Sequence, residues 1–260
     1  MAAGDAVTHE GGGARAACAI FAHRGARAHA PENTLLAFEL AFALGADAVE
    51  CDVQLTADGA LVVIHDATLD RTTNGRGPVA LATLAALRTL DAGRGQRIPL
   101  LAEVLDLCER AGRQVNLEVK AETAAAALAT AGALAVPLRV LAPGARAGVV
   151  VSSFDLEAVA AIKRWLPWLR VATLHSGRRW RHEDALAPAL ALGAEAVHLA
   201  TPLATPELIE RAHRQALGVR VWTANQPRQL SQLLRWGVDG VFSDYPERAV
   251  IARALAASAG

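Results

Sequence analysis

Short apolar runs alternate with helical segments along almost the whole chain, and this alternation limits the folds open to it. The runs cover residues 18–22, 48–53, 114–119, 148–151, 170–174, 196–199, 219–222 and 240–242. They are short and rich in valine, which marks them as strands. Helical segments follow over 35–44, 101–111, 123–134, 155–165, 183–192, 205–217, 227–235 and 246–256. Leu35, Phe38 and Phe42 form one apolar stripe, Thr34 and Thr205 stand where helix caps belong, and Gly45 and Gly112 stand where helices stop. Repeated strand–helix units in a chain of 260 residues predict an α/β fold, a single (β/α)8 TIM barrel. A doubly wound sheet is the competing architecture, but no GxGxxG turn follows any of the runs.

One break in the rhythm falls after the second strand. Residues 67–95 hold the turn-forming stretch 71–78, a short helical pattern over 83–90 and a second loop over 91–95. They read as a small insertion, a lid or subdomain over the strand ends. Residues 1–16, with three consecutive glycines, read as a flexible tail, leaving 17–260 as one barrel domain. The chain has net charge zero, which argues against nucleic-acid binding through a broad basic surface. No apolar run reaches the roughly 18 residues of a membrane helix, so no stable membrane insertion is expected. Cys18, Cys51 and Cys108 are an odd set without CxxC spacing and read as buried thiols of a cytoplasmic protein.

The most unusual chemistry lies between Asp47 and Asp66. Glu50 and Asp52 sit two apart inside an apolar strand, so both side chains point to one face, roughly 6.5–7 Å apart. Two carboxylates on an inner face are costly unless positive charge lies between them. After the turn 56–59 a further apolar run, 61–64, delivers His65 and Asp66. A hard cation held by the carboxylates, with His65 beside it, satisfies this pattern. In a TIM barrel the site lies at the carboxyl ends of the strands. His23, Glu50, Asp52, His65, Glu118, Lys120 and Trp222 all fall at or near such ends.

These residues carry a resemblance. His23-Arg24-Gly25, Pro31-Glu32-Asn33-Thr34, Glu50-Cys51-Asp52, His65-Asp66, Arg71-Thr72-Thr73, Asn116-x-Glu118-x-Lys120, Ser152-Ser153-Phe154, Val221-Trp222-Thr223 and Ser243-Asp244-x-Pro246 stand in an order and spacing that resembles the glycerophosphodiester phosphodiesterases. The likeness runs from about residue 20 to 250. It implies a TIM barrel with an insertion after the second strand, and hydrolysis of glycerophosphodiesters to sn-glycerol 3-phosphate and an alcohol. It also implies Glu50, Asp52 and Glu118 as metal ligands, His23 and His65 as the acid–base pair, and Arg24 and Lys120 as phosphate binders.

The residue chemistry is compatible with these roles. Three carboxylates make an oxygen-rich site, which favours Mg²⁺ or Ca²⁺ over Zn²⁺, with Mn²⁺ a third option. Arg24 offers a planar fork to a phosphate and Lys120 a point charge. Two histidines can divide one proton removal and one proton delivery near neutral pH, and the attacking group is either water or the substrate's own 2-hydroxyl. Structural readings stand beside these. Glu118 is also placed to pair with Lys120, and Trp222 serves either as a pocket wall or as core. Ser153 and Asp244 read as helix caps, and His9, His29, His175, His182, His198 and His213 as structural or surface groups. Two other functions fit the same pattern: a phospholipase D-like activity on lysophospholipids, and a binding barrel without catalysis. A small-molecule substrate is the expected partner, and a homo-oligomer is left open.

Overall fold

The computed structural model describes residues 17–177 and 185–258. Residues 1–16, expected to form a tail and including His9, lie outside the described residues, as does His182. The elements are β1 (Ala19–His23), α1 (Leu35–Ala43), β2 (Ala48–Leu55), β3 (Leu61–Val63), α2 (Leu84–Leu87), α3 (Leu101–Ala111), β4 (Gln114–Val119), α4 (Ala124–Arg139), α5 (Pro143–Arg146) and β5 (Val149–Ser153). They continue as α6 (Leu156–Trp165), β6 (Arg170–His175), α7 (Leu186–Ala191), β7 (Ala196–Ala200), α8 (Pro206–His213), β8 (Gly218–Trp222), α9 (Pro227–Arg235), β9 (Gly240–Ser243) and α10 (Pro246–Ser258).

Eight parallel strands close a TIM barrel. The order β1-β9-β8-β7-β6-β5-β4-β2 is a closed ring, because β1 pairs in parallel both with β2 and, at the seam between first and last strand, with β9. The ninth strand, β3, is antiparallel and pairs with the last three residues of β2, with Val62 also bridging to Leu100. Side-chain alternation then sorts the strands into two faces. Ile20, Val49, Val115, Val151, Val171, Val197, Val219 and Val241 point outward and pack beneath the helices in two large clusters. Phe21, Ala48 and Phe242 fill part of the interior, and Val150, Ala172 and Ala196 another. The polar residues Glu50, Asp52, Asn116, Glu118, Ser152 and His198 share that inward parity and are buried.

Sequence-based expectations hold for the strands and for several caps. Thr34 and Thr205 each accept a hydrogen bond from a first-turn N–H of the following helix, and so does Thr123, which the sequence places inside its helix rather than at the cap. Four details differ. The helix expected to end near 134 runs on to Arg139 through Pro137, because Leu134, Ala135 and Leu138 are buried on its inner side. The helix expected to reach 217 stops at His213, where Ala216 takes a left-handed conformation (φ 55°) and bonds back to His213 O. Ser153 is not a cap: Asp155 caps α6 by accepting from Ala158 N–H, and the Ser153 hydroxyl donates to Val119 O. Asp244 is not read as a cap either, because its carboxylate is taken up by His23 and Asn225.

Between β2 and α3 the chain leaves the barrel rhythm. β3, a 3-10 turn at Val79–Leu81 and α2 carry their own apolar cluster of Val62, Ile64, Leu69, Val79, Leu87, Ala92 and Ile98. Among the described residues no helix is long and apolar enough to cross a membrane.

Candidate active site

Parity and register put the functional side chains at one end of the barrel. His23 is the last residue of β1, level with Glu50 of β2, and Asp52 is level with Glu118 of β4. One carboxylate oxygen from each of Glu50, Asp52 and Glu118 lies within 4.8 Å of the other two. A pocket of about 70 Å³ opens over them. Its lining includes His23, Arg24, His65, Lys120, Phe154 and Trp222. All eight side chains expected at the site are therefore brought together. A larger groove of about 490 Å³ lies at the opposite end, along the starts of β4 and β5, with Glu109 and Arg113 as its only charged side chains. Volume alone does not mark the chemistry here.

The carboxylates are only partly satisfied. Glu50 Oε2 accepts from the Arg24 backbone N–H at 2.8 Å, and Asp52 Oδ2 accepts from Asn33 Nδ2 at 2.8 Å. Glu118 Oε1 lies 3.0 Å from Lys120 Nζ. Glu50 Oε1 and Asp52 Oδ1 are buried without a hydrogen-bond partner among the described residues. Burial, together with the neighbouring Asp52 and Glu118 charges, pushes the Glu50 carboxyl well above its usual range. Burial and the Asp52 charge likewise push Glu118 up to about 7, against the pull of Lys120. Three buried carboxylates with bare oxygens converging, two of them, Glu50 and Glu118, held back from ionising by burial and like charge, are a donor set that fits a divalent cation. The all-oxygen chemistry suits a hard one.

Arg24 is in a left-handed conformation (φ 57°), which turns its backbone N–H toward Glu50. Its guanidinium lies 3.3 Å from Asp52 Oδ2 and donates to Glu32 Oε1 at 2.9 Å. Gly25 follows with φ 80°, and an added Cβ there would lie 2.7 Å from the Ala37 backbone, so only glycine lets α1 approach this closely. Lys120 Nζ stands 6.0 Å from the Phe154 ring centroid, and Phe154 meets Trp222 edge-on at 5.7 Å. Trp222 donates from its indole to His198 O at 3.2 Å, so it is both a wall of the pocket and anchored in the barrel.

Each histidine has a carboxylate behind it. His23 Nδ1 is 2.7 Å from Asp244 Oδ1. His65 Nδ1 is 2.6 Å from Asp66 Oδ1, and Arg71 clamps that carboxylate through Nε at 2.5 Å and Nη2 at 2.9 Å. Burial lowers the His65 pKa, with Lys120 and Arg24 adding to the effect against Asp52. Gln54 holds the loop that carries His65, its amide lying 2.7–3.0 Å from the carbonyls of Ile64, His65 and Asp66. Arg71, Gln54, Asn33, Asp244 and Asn225 were not singled out as site residues from the sequence. A polar side chain inside an apolar strand was a usable signal for Gln54, whereas the carboxylate behind His23 comes from a segment 221 positions away.

Carboxylates, histidines and cationic side chains are thus gathered at the strand ends, where TIM-barrel enzymes carry their active sites. A profile of the glycerophosphoryl diester phosphodiesterase family matches residues 23–248. A glycerophosphodiester phosphodiesterase of Caldanaerobacter subterraneus subsp. tengcongensis is 34% identical over 251 residues, covering 88% of this chain and 94% of the relative. One from Bacillus altitudinis is 35% identical over 252 residues, covering 89% and 96%. Among solved structures, an Oleispira antarctica phosphodiesterase in complex with the product sn-glycerol-3-phosphate superposes with TM-score 0.83 at 29% identity, covering 91% of this chain and 96% of that one. The glycerophosphodiester phosphodiesterase of Agrobacterium tumefaciens C58 gives TM-score 0.73 at 28% identity, covering 90% and 99%. The chain belongs to the glycerophosphoryl diester phosphodiesterase family, and it is a phosphoric diester hydrolase.

Proposed function

We propose that this protein hydrolyses glycerophosphodiesters to sn-glycerol 3-phosphate and an alcohol in a metal-dependent reaction served by His23 and His65. The observation that carries the reading is the convergence of two carboxylate-backed histidines and three buried carboxylates on one pocket. The product-bound Oleispira relative supports the substrate class. Glu50, Asp52 and Glu118 hold one divalent cation, Mg²⁺ or Ca²⁺, with Mn²⁺ able to substitute. When bound, the cation offsets negative charge on the phosphoryl group.

Formal charge supports an anionic diester. Three carboxylates, a divalent cation, Arg24 and Lys120 sum to +1 with both histidines neutral, which a phosphodiester monoanion balances. Arg24 and Lys120 bind the phosphoryl oxygens, and Trp222 with Phe154 walls the pocket. One histidine takes a proton from the attacking group, water or the substrate's 2-hydroxyl, and the other delivers one to the leaving oxygen. Residues 17–260 act as one catalytic domain in the cytoplasm, with the 67–95 insertion beside the site. Unpaired Cys51 and Cys108, both buried, suit a reducing compartment.

The test is release of glycerol 3-phosphate from glycerophosphocholine and glycerophosphoethanolamine with Mg²⁺, Ca²⁺ or Mn²⁺ present and after chelation. His23→Ala and His65→Ala are expected to lower kcat by about 10²–10⁴-fold while leaving metal binding in place. Turnover confined to lysophospholipids, or unchanged by chelation, overturns the reading.

A further inference from the structure

His23, Asp244 and Asn225 stand at the ends of three adjacent strands, β1, β9 and β8, on either side of the seam that closes the barrel. A carboxylate only accepts hydrogen bonds, so at 2.7 Å from Asp244 Oδ1 the imidazole proton sits on Nδ1. Nε2 of the neutral ring is then bare. The Asn225 amide is oriented by its own partners. Its Oδ1 accepts from the Asp244 backbone N–H at 2.9 Å and from the Ser243 hydroxyl at 3.2 Å. Its Nδ2 is therefore the group that donates to Asp244 Oδ2 at 2.8 Å. Each Asp244 oxygen has its own donor, and the remaining charged neighbour is Arg27, with Nε 3.6 Å from Oδ1.

We propose that Asp244 is a positioning residue that, oriented by Asn225, holds His23 in the tautomer presenting a bare Nε2 to the pocket. The inference rests on the reading that His23 exchanges a proton with the substrate. It replaces the helix-cap role that the position before Tyr245-Pro246 suggests in sequence. It also sets the two histidines apart. Asp66 behind His65 is clamped by a cation, Arg71, whereas Asp244 is oriented by a neutral amide.

The hydrogen-bond polarity makes a specific demand. In Asp244→Asn, Asn225 Nδ2 still needs an acceptor, so the new side chain turns its oxygen to Asn225 and its NH₂ to His23. His23 Nδ1 must then accept, and the proton moves to Nε2, the wrong tautomer. In the double variant Asn225→Asp/Asp244→Asn, the Asp at 225 accepts the NH₂ of residue 244. The oxygen of residue 244 is then free to accept from His23 Nδ1–H, and the original tautomer returns.

The experiment is steady-state kinetics on glycerophosphoethanolamine with saturating Mn²⁺, with thermal midpoints as the folding control. Asp244→Asn is expected to lower kcat by about 10²–10⁴-fold with KM nearly unchanged. The double variant is expected to regain a measurable part of that loss. In a His23→Ala background, Asp244→Asn is expected to change nothing further, because the residue acts only through His23. Wild-type kcat in Asp244→Asn, a double variant no faster than the single, or a full additional loss in the His23→Ala background overturns the inference. Full activity in His23→Ala itself overturns the two-histidine reading, and the inference with it.

Discussion

Moving the Glu50 carboxylate out of water costs several kcal/mol unless positive charge or donors compensate, and here two other acids share the space. The Arg24 N–H satisfies one oxygen and leaves the other bare. Glu50→Gln keeps an acceptor for Arg24 and removes the like-charge repulsion. The metal-free variant is expected to be more stable than metal-free wild type by about 1–3 kcal/mol, a rise in Tm of about 2–10 °C. The same variant is expected to lose the Tm increase that Mg²⁺ or Mn²⁺ gives wild type, since a bound ion stabilises only the fold that binds it. A thermal melt with and without chelator checks both outcomes. The pair at 50 and 52 was legible because two acids spaced by two in an apolar strand must share its buried face, where only a compensating positive charge makes them tolerable. Asp244 was not, since a small acid before Tyr-Pro matches a helix start equally well and its partner lies 221 positions away in sequence.

The segment between β2 and α3 shows the same split. Its existence was legible from a broken rhythm and a density of Gly, Thr and Asn. Its anchoring was not. Arg71, on this segment, reaches Glu32 before α1 with two hydrogen bonds of 2.8 and 2.9 Å and grips Asp66 behind His65. Glu32 also accepts from Arg24, so one carboxylate ties the insertion, the β1–α1 loop and the cation expected at the phosphate. Burial acts to raise the Glu32 pKa, but hydrogen bonds from Arg71 and Arg24 and the Arg27 charge outweigh it, holding the group at about 2 against the usual 4.5. A depressed folded-state pKa contributes stability that is fully present above pH 4.5 and is lost as pH falls through about 2. Wild type is therefore expected to exceed Glu32→Gln in unfolding free energy at neutral pH, with the gap closing below pH 4.5. Urea melts of both proteins across that range measure it.

For the molecule as a whole, the eight parallel strands were readable because each is a short valine-rich run between helices. The inward parity that gathers the site was readable from the spacing of Glu50 and Asp52. Strand order and closure were not written locally. They arise because the last strand meets the first, which leaves the eight-stranded parallel sheet no unpaired edge. That meeting pairs Ala19–Ala22 with Gly240–Ser243, and Arg253 of α10 reaches back to Asp47 and to Cys18 O. The seam has a consequence for the order of synthesis. His23, the carboxylates and Lys120 leave the ribosome well before Asp244 does. On the positioning role proposed for Asp244, a nascent chain that already carries the other reactive groups is expected to stay inert until β9 and Asp244 dock. Chains arrested with residue 244 still in the exit tunnel are expected to show no turnover, and the same chains after release to show full turnover.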